Sequence, residues 1–305
     1  MDTLTHAPSG TQWTIEAAGQ RAVVVEVGGG LRKYEVNGVD VLFGYEVDEV
    51  CPASAGKVLA PWPNRIRDGR YSFAGDVHQL ALTEPSRHNA IHGLVNWVRW
   101  SRVSGDDSSI TVEYEVVPQP GYRWPLALRT TWSLNADGLT AEHSATNTGT
   151  EPCPFGLATH PYVQVPGLKA DELLLGVPGR LRLLVDSRML PIGAAKVAGE
   201  YDFTEPRAIG GLALDTAYGD LIRDADGRST VTLTAPDGRG VRVWADSAFN
   251  WWQVFTGDTL AAARYRRAVA VEPMTCPPDA FRSGRDLIVI QPGETWRGSW
   301  GMRAV

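Results

Sequence analysis

Polar and apolar residues alternate in short runs along this chain. RAVVVEV, ITVEYEVV, LALRTTWSL, LTAEHSATN, TVTLTAP, GVRVWAD, NWWQVFT and ETWRGSWGM are rich in β-branched and aromatic residues. Several of them keep the period of two that a half-buried strand requires. Turn dipeptides stand between the runs: Asn37-Gly38, Asp68-Gly69, Asp137-Gly138, Asp226-Gly227 and Asp237-Gly238. Each supplies the positive φ of a tight hairpin. No stretch has the 3.6-residue period of an amphipathic helix longer than about two turns. The pattern predicts an all-β chain: one large antiparallel β-sandwich, closed at one end by irregular loops.

Composition narrows this picture. The 32 glycines and 20 prolines suit many short strands and disfavour long helices. A hydrophobic share of 43% is enough for a substantial core in 305 residues. No repeat period and no Ser/Gly-rich linker divides the chain, so residues 1–305 are expected to form a single domain. The net charge is −6 with no basic block, so nucleic acid is not expected as a partner. No segment reaches the roughly 18 apolar residues of a membrane span. The opening MDTLTHAPSG lacks the cationic start and apolar stretch of a leader. Cys51, Cys153 and Cys276 are widely spaced and odd in number, which fits free, buried thiols and a cytoplasmic location.

Five stretches carry polar residues that a plain sandwich does not need. PWPNRIRDGRYSF holds Asn64 and Arg65, RHNAIHGLVNW holds His88, Asn89 and His92, and GLATHPYVQVPG holds His160 and Tyr162. LDTAYGD holds Asp215, and VAVEPMTCPP holds Glu272 at the end of an apolar run. Their Pro and Gly neighbours place all five at strand ends on the rim of the scaffold. Taken singly, each has a structural reading: a core histidine with both nitrogens satisfied, a buried ion pair, a turn carboxylate. His88 and His92 have a metal-binding spacing only if helical, and Gly93 argues against a helix. Ser54 and Lys57 form Ser-x-x-Lys without its companion motifs. GGGLRKYEV precedes a strand rather than a helix and makes no phosphate cradle.

In their order, Asn-Arg, His-Gly, His-x-Tyr, Asp and Glu-Pro, the five motifs resemble those of the aldose 1-epimerases, or galactose mutarotases. The resemblance runs from VLAPWPNRIRDGRYSF to IQPGETWRGSWGM. It implies a β-sandwich of the galactose mutarotase-like type. It implies Glu272 as general base and His160 as general acid. Arg65 and His92 would hold the sugar near its ring oxygen and hydroxyls, Asp215 would accept from ring hydroxyls, and Asn64 and Tyr162 would complete the substrate-binding set. Two departures bear on which sugar is used. ATHPYVQVPG stands where better-known members have Asn-His-x-Tyr-Phe-Asn-Leu, and Met274 stands where they commonly have Gln.

The implied reaction interconverts the α and β anomers of a hexose. A base takes the C1 hydroxyl proton while an acid protonates the ring oxygen, the ring opens, the C1–C2 bond turns, and the ring closes on the other face. One acid and one base suffice, so no metal or other cofactor is expected, and the partner is a small sugar. An imidazolium beside a carboxylate is expected to keep its proton for the ring oxygen. Trp62, Trp251 and Trp252 are candidate flat faces for sugar C–H bonds. Three rivals remain. One is a mutarotase for an anionic sugar such as a hexose 6-phosphate or a sulfonated hexose, served by Arg65, Arg67, Arg70, Arg87 and Arg123. Another is a non-catalytic carbohydrate-binding module. The third is a glycoside hydrolase using Asp215 and Glu272. The expected assembly is a monomer or homodimer.

Overall fold

The alternating runs do form strands. A computed structural model describes residues 7–305; the first six, part of the stretch read for a leader, lie outside the described residues. Two large antiparallel sheets dominate. One has nine strands in the order Ser101–Gly105, Ser109–Val116, Leu126–Asn135, Gly138–Asn147, Thr295–Ala304, Gly240–Ala245, Ser229–Thr234, Leu174–Gly176, Arg207–Ala208. The other has eight. Seven run in the order Pro191–Lys196, Gly179–Val185, Asp215–Leu221, Trp251–Phe255, Val269–Met274, Ala158–Thr159, Val58–Leu59, and Tyr162–Val163 also pairs with Val269–Met274. A smaller four-stranded sheet begins at Gln12–Ala17. Among the described residues the α-helix is the four-residue Ala280–Ser283, and no helix is long and apolar enough to cross a membrane.

The period of two decides what is buried. Leu126, Leu128 and Trp132 of the nine-stranded sheet share one core with Trp252, Val254, Val269 and Val271 of the eight-stranded sheet. Ile15, Val24 and Tyr34 of the smaller sheet join them. Each such side chain contributes about 1.5–3 kcal/mol when fully buried. Trp252 Nε1 donates to Ser229 Oγ at 3.1 Å, tying the two large sheets together. All three cysteines are free and buried.

Asn37-Gly38 turns as predicted, with φ of 50° and 78°, between the paired Val36 and Val39. Asp68-Gly69 also has two positive φ values, yet it joins strands that pair elsewhere: Arg65–Arg67 with Asn89–Ile91, and Arg70–Phe73 with Asp76–Gln79. The turn geometry is local, whereas the pairing depends on what packs beneath.

The outward face of the eight-stranded sheet matters most for function. Trp252 and Val254 face the core, so Gln253 faces the opposite way, and so does Glu272 between Val271 and Pro273. Gln253 and Glu272 are direct cross-strand partners. Asp215 opens the next strand, opposite Phe255. Glu272 therefore sits within a strand, on a sheet face, not at a strand end on the rim. Pro273 does not stop the run; it pairs with Trp252.

Candidate active site

Two short strands bracket His160. Ala158 pairs with Met274 and Tyr162 with Ala270, which sets His160 opposite Glu272. The Pro161 carbonyl accepts the Val271 N–H at 3.1 Å, and the His160 N–H donates to the Lys57 carbonyl at 3.2 Å. His160 Nε2 then lies 3.4 Å from Glu272 Oε1, and both side chains are buried. Tyr162 stacks beneath the imidazole, ring centroids 4.9 Å apart at 21°. It packs with Tyr45, Cys51 and Ala270, and its hydroxyl reaches the Ala53 carbonyl at 3.5 Å. The geometry makes Tyr162 a shelf for His160.

Asn64 and His92 are held together by backbone. Both have positive φ, 50° and 64°, and the His92 N–H donates to the Asn64 carbonyl at 2.9 Å. Gly93 follows His92 because a Cβ there would stand 2.0 Å from the Ala60 carbonyl oxygen. The His92 ring meets His160 edge to face, centroids 5.5 Å apart. Asn64 Oδ1 accepts the Arg65 N–H at 2.9 Å. His88 points elsewhere, pairing with Asp68 at 2.9 Å, so the two histidines do not converge. Lys57 lays its ammonium 3.0 Å from the centre of the Trp97 ring, and burial lowers its pKa to about 8.

Arg65 does not stand alone. Its Nε and Nη2 donate to the two oxygens of Glu84 at 2.8 and 3.0 Å, the bidentate geometry that guanidinium favours. Asp215 Oδ1 accepts from Gln253 Nε2. Neither Glu84 nor Gln253 was foreseen as a site residue. Gln253 had a visible signal: alternation in NWWQVFT sets it opposite Trp252 and Val254. Glu84 had none, since its partner is 19 residues away.

The proposed tryptophan platforms are not there. Trp252 and Trp62 belong to the core. Trp251 is on the outward face but buried under its surroundings, over Gly219 and hydrogen bonded to Asp286 at 2.7 Å. Surface hollows lie elsewhere on the molecule. One of about 590 Å3 is lined by Thr131, Glu142 and Arg297 on the nine-stranded sheet.

Burial sets the electrostatics. It pushes Glu272 well above the usual carboxylate range, reinforced by the Asp215 charge and opposed by Arg65. It likewise raises Asp215, against Arg65 and Gln253. His160 is driven down to about 4, chiefly by burial, with the Arg65 charge adding to the fall. His92 is pushed well down by burial, then by the His160 and Arg65 charges. The expected resting imidazolium at His160 is thus not favoured. Desolvation penalises both charges of the pair, which raises Glu272 and lowers His160. His160 Nδ1, Glu272 Oε2, Gln253 Oε1 and His92 Nδ1 are buried with no protein partner. Leaving such atoms unpaired costs about 1–3 kcal/mol each.

The suggested arginine cluster is largely engaged. Arg65 and Arg87 pair with Glu84, Arg67 with Asp186, and Arg123 with Asp76 and Glu151.

Comparison with known proteins identifies the family. The family model for aldose 1-epimerase matches residues 11–303. The chain is 34% identical over 291 residues to "Uncharacterized protein YihR" of Escherichia coli K12, covering 95% of this chain and 92% of that one. Its fold matches the GalM/aldose epimerase homologue from C. elegans with a TM-score of 0.86 at 19% identity, covering 97% of this chain and 99% of that one. It matches a galactose mutarotase-like protein from Clostridium acetobutylicum with a TM-score of 0.84 at 18% identity, covering 96% and 94%. The fold is the galactose mutarotase-like β-sandwich that the motif resemblance implied, and the chain belongs to the aldose 1-epimerase family.

Proposed function

We propose that this protein is a mutarotase that interconverts the anomers of a hexose, with Glu272 and His160 as its acid–base pair. The observation that carries the proposal is their 3.4 Å contact on a sheet face, each keeping a second buried polar atom without a protein partner. Arg65, His92, Asp215 and Gln253 border that pair and can donate to or accept from sugar hydroxyls.

The pair holds one proton. Sugar hydroxyls that donate to Glu272 stabilise its carboxylate and allow the proton to cross to His160. Glu272 then takes the C1 hydroxyl proton as His160 delivers its own to the ring oxygen. The C1–O5 bond breaks and an aldehyde forms. At that point Glu272 is protonated and His160 neutral, the state that burial favours. Ring closure runs the same transfers backwards after the C1–C2 bond has turned. Each positioned transfer is worth about 10²–10⁴ in rate.

A charged substituent on the sugar would have Arg87 as a candidate partner. Arg87 is 37% exposed, and its charge reaches Asp215. Exchange NMR of α/β interconversion across neutral, phosphorylated and sulfonated hexoses tests the activity and identifies the sugar. No acceleration with any of them defeats the proposal.

A further inference from the structure

We infer that Glu84 is a positioning residue: its carboxylate grips one edge of the Arg65 guanidinium, so that Arg65 stands beside Glu272 and Asp215 without pairing with either. The inference rests on the acid–base reading of Glu272 and His160.

Glu84 is fully committed to this grip. Oε1 accepts from Arg65 Nη2 at 3.0 Å and Arg87 Nη1 at 2.9 Å. Oε2 accepts from Arg65 Nε at 2.8 Å and Asn89 Nδ2 at 3.0 Å. The backbone of Glu84 is locked as well, exchanging both hydrogen bonds with Asn89 at 2.9 and 3.2 Å. Asn89 is anchored from another part of the chain, because its Nδ2 donates to the Arg188 carbonyl and its Oδ1 accepts from Arg188 Nη2. Burial alone would raise the Glu84 carboxyl, but Arg65, Asn89 and Arg87 together hold it below the usual range, so it stays ionised.

Without that grip, Arg65 has two other carboxylates to choose from. Its charge already reaches Glu272 and Asp215, yet among the described residues its ion pair is with Glu84. A guanidinium released from Glu84 would close on the sheet face and pair there. Glu272 would then be held as a weak, neutralised base. The groups that face Glu272 are His160 and Tyr162 from the segment beside it, Asp215 from the sheet strand beyond Trp251–Phe255, and Arg65 from the short strand Arg65–Arg67. Among these, Arg65 is the cation whose distance Glu84 controls.

The test reads Glu272 directly, apart from turnover. The δ-carboxyl of Glu272 is titrated by 13C NMR in glutamate-labelled protein and assigned by its loss in Glu272→Gln. The expected result is that Glu84→Gln lowers the Glu272 titration by about 1 unit or more, the effect of an opposite charge brought close. In an Arg65→Ala background the same substitution should move it little. An unchanged titration in folded Glu84→Gln overturns the inference. So does an equal shift in the Arg65→Ala background, which would assign the effect to the Glu84 charge itself. If Glu84→Gln does not fold, Glu84→Asp serves, since its shorter chain keeps the charge but cannot span the guanidinium edge, and the same downward shift is expected. A wild-type protein inactive on every sugar, with these shifts present, would defeat the mutarotase proposal and leave the placement of Arg65 standing.

Discussion

His143 and His160 are both buried histidines, one in a strand of the nine-stranded sheet and one between two short strands of the eight-stranded sheet, and burial lowers the pKa of both, to about 3 and about 4. What differs is the use of their nitrogens. His143 Nε2 accepts from Trp300 Nε1 at 3.0 Å, and because an indole can only donate, the proton of His143 is on Nδ1, 2.9 Å from Thr130 Oγ1. Its donor and acceptor capacity is used up inside the core. His160 has Nε2 against a carboxylate and Nδ1 without a protein partner. A fully satisfied histidine holds a core together, whereas an incompletely satisfied one is available to a ligand. Burial by itself does not separate the two; the hydrogen-bond inventory does.

The largest expected effect follows on the His160 side. Glu272→Gln or His160→Gln should each lower kcat by at least ~10²-fold, the lower end for general acid–base catalysis. The double variant should be little worse than the worse single one, because residues that act as a unit are not additive. Exchange NMR on the four proteins checks this, and losses that multiply would break the pairing.

Arg65→Ala comes next. Loss of one charged hydrogen bond to the sugar, about 1.5–3 kcal/mol, corresponds to a fall in kcat/KM of roughly 10–150-fold. The variant should also melt at lower temperature, because the partly buried Glu84 is left without its main partner. Normal kcat/KM in a destabilised protein would make Arg65 purely structural.

His143→Leu sharpens the comparison from the other side. Trp300 and Thr130 lose their buried partner, at about 1–3 kcal/mol for each group left unpaired. Calorimetry should show a lower Tm, while kcat per folded molecule stays at the wild-type value. A catalytic loss as large as that of His160→Gln would erase the distinction.

The smallest effect is in the pH dependence of stability. Folded Glu272 holds its proton above the pKa it has when unfolded, so unfolding releases a proton. Stability from this group is therefore present below about pH 4.3 and is lost as pH rises toward the raised folded value. Glu272→Gln removes that slope, and the Tm difference between variant and wild type should move in favour of the variant from about pH 5 upward. His160 has the opposite sign: its folded pKa is depressed to about 4, so its contribution is lost as pH falls from about 6.5 toward that value. A Tm difference independent of pH would show that Glu272 is not raised.

Much of the fold was legible because a strand writes its two faces into alternate residues. RAVVVEV, LALRTTWSL and NWWQVFT each became a strand, Gln20–Val25, Leu126–Asn135 and Trp251–Phe255. The same rule would have placed Glu272 and Gln253 on one face, had Pro273 not been read as a stop. A proline can stay in a strand where its missing N–H is not needed by the ladder, and that depends on the neighbouring strand.

The amino-acid sequence by itself determined the all-β architecture, the free cysteines and the segments that hold His160, Glu272, Arg65, His92 and Asp215. Those follow from local steric preferences and from an order of motifs readable along one dimension. The tertiary structure alone decided which strands lie side by side, that Glu84 holds Arg65, that Trp251 and Trp252 are buried rather than offered to a sugar, and that burial raises Glu272 and lowers His160. Each of these is set by contacts between distant residues and by how much water they exclude, and desolvation acts on a charge only once the chain has closed around it.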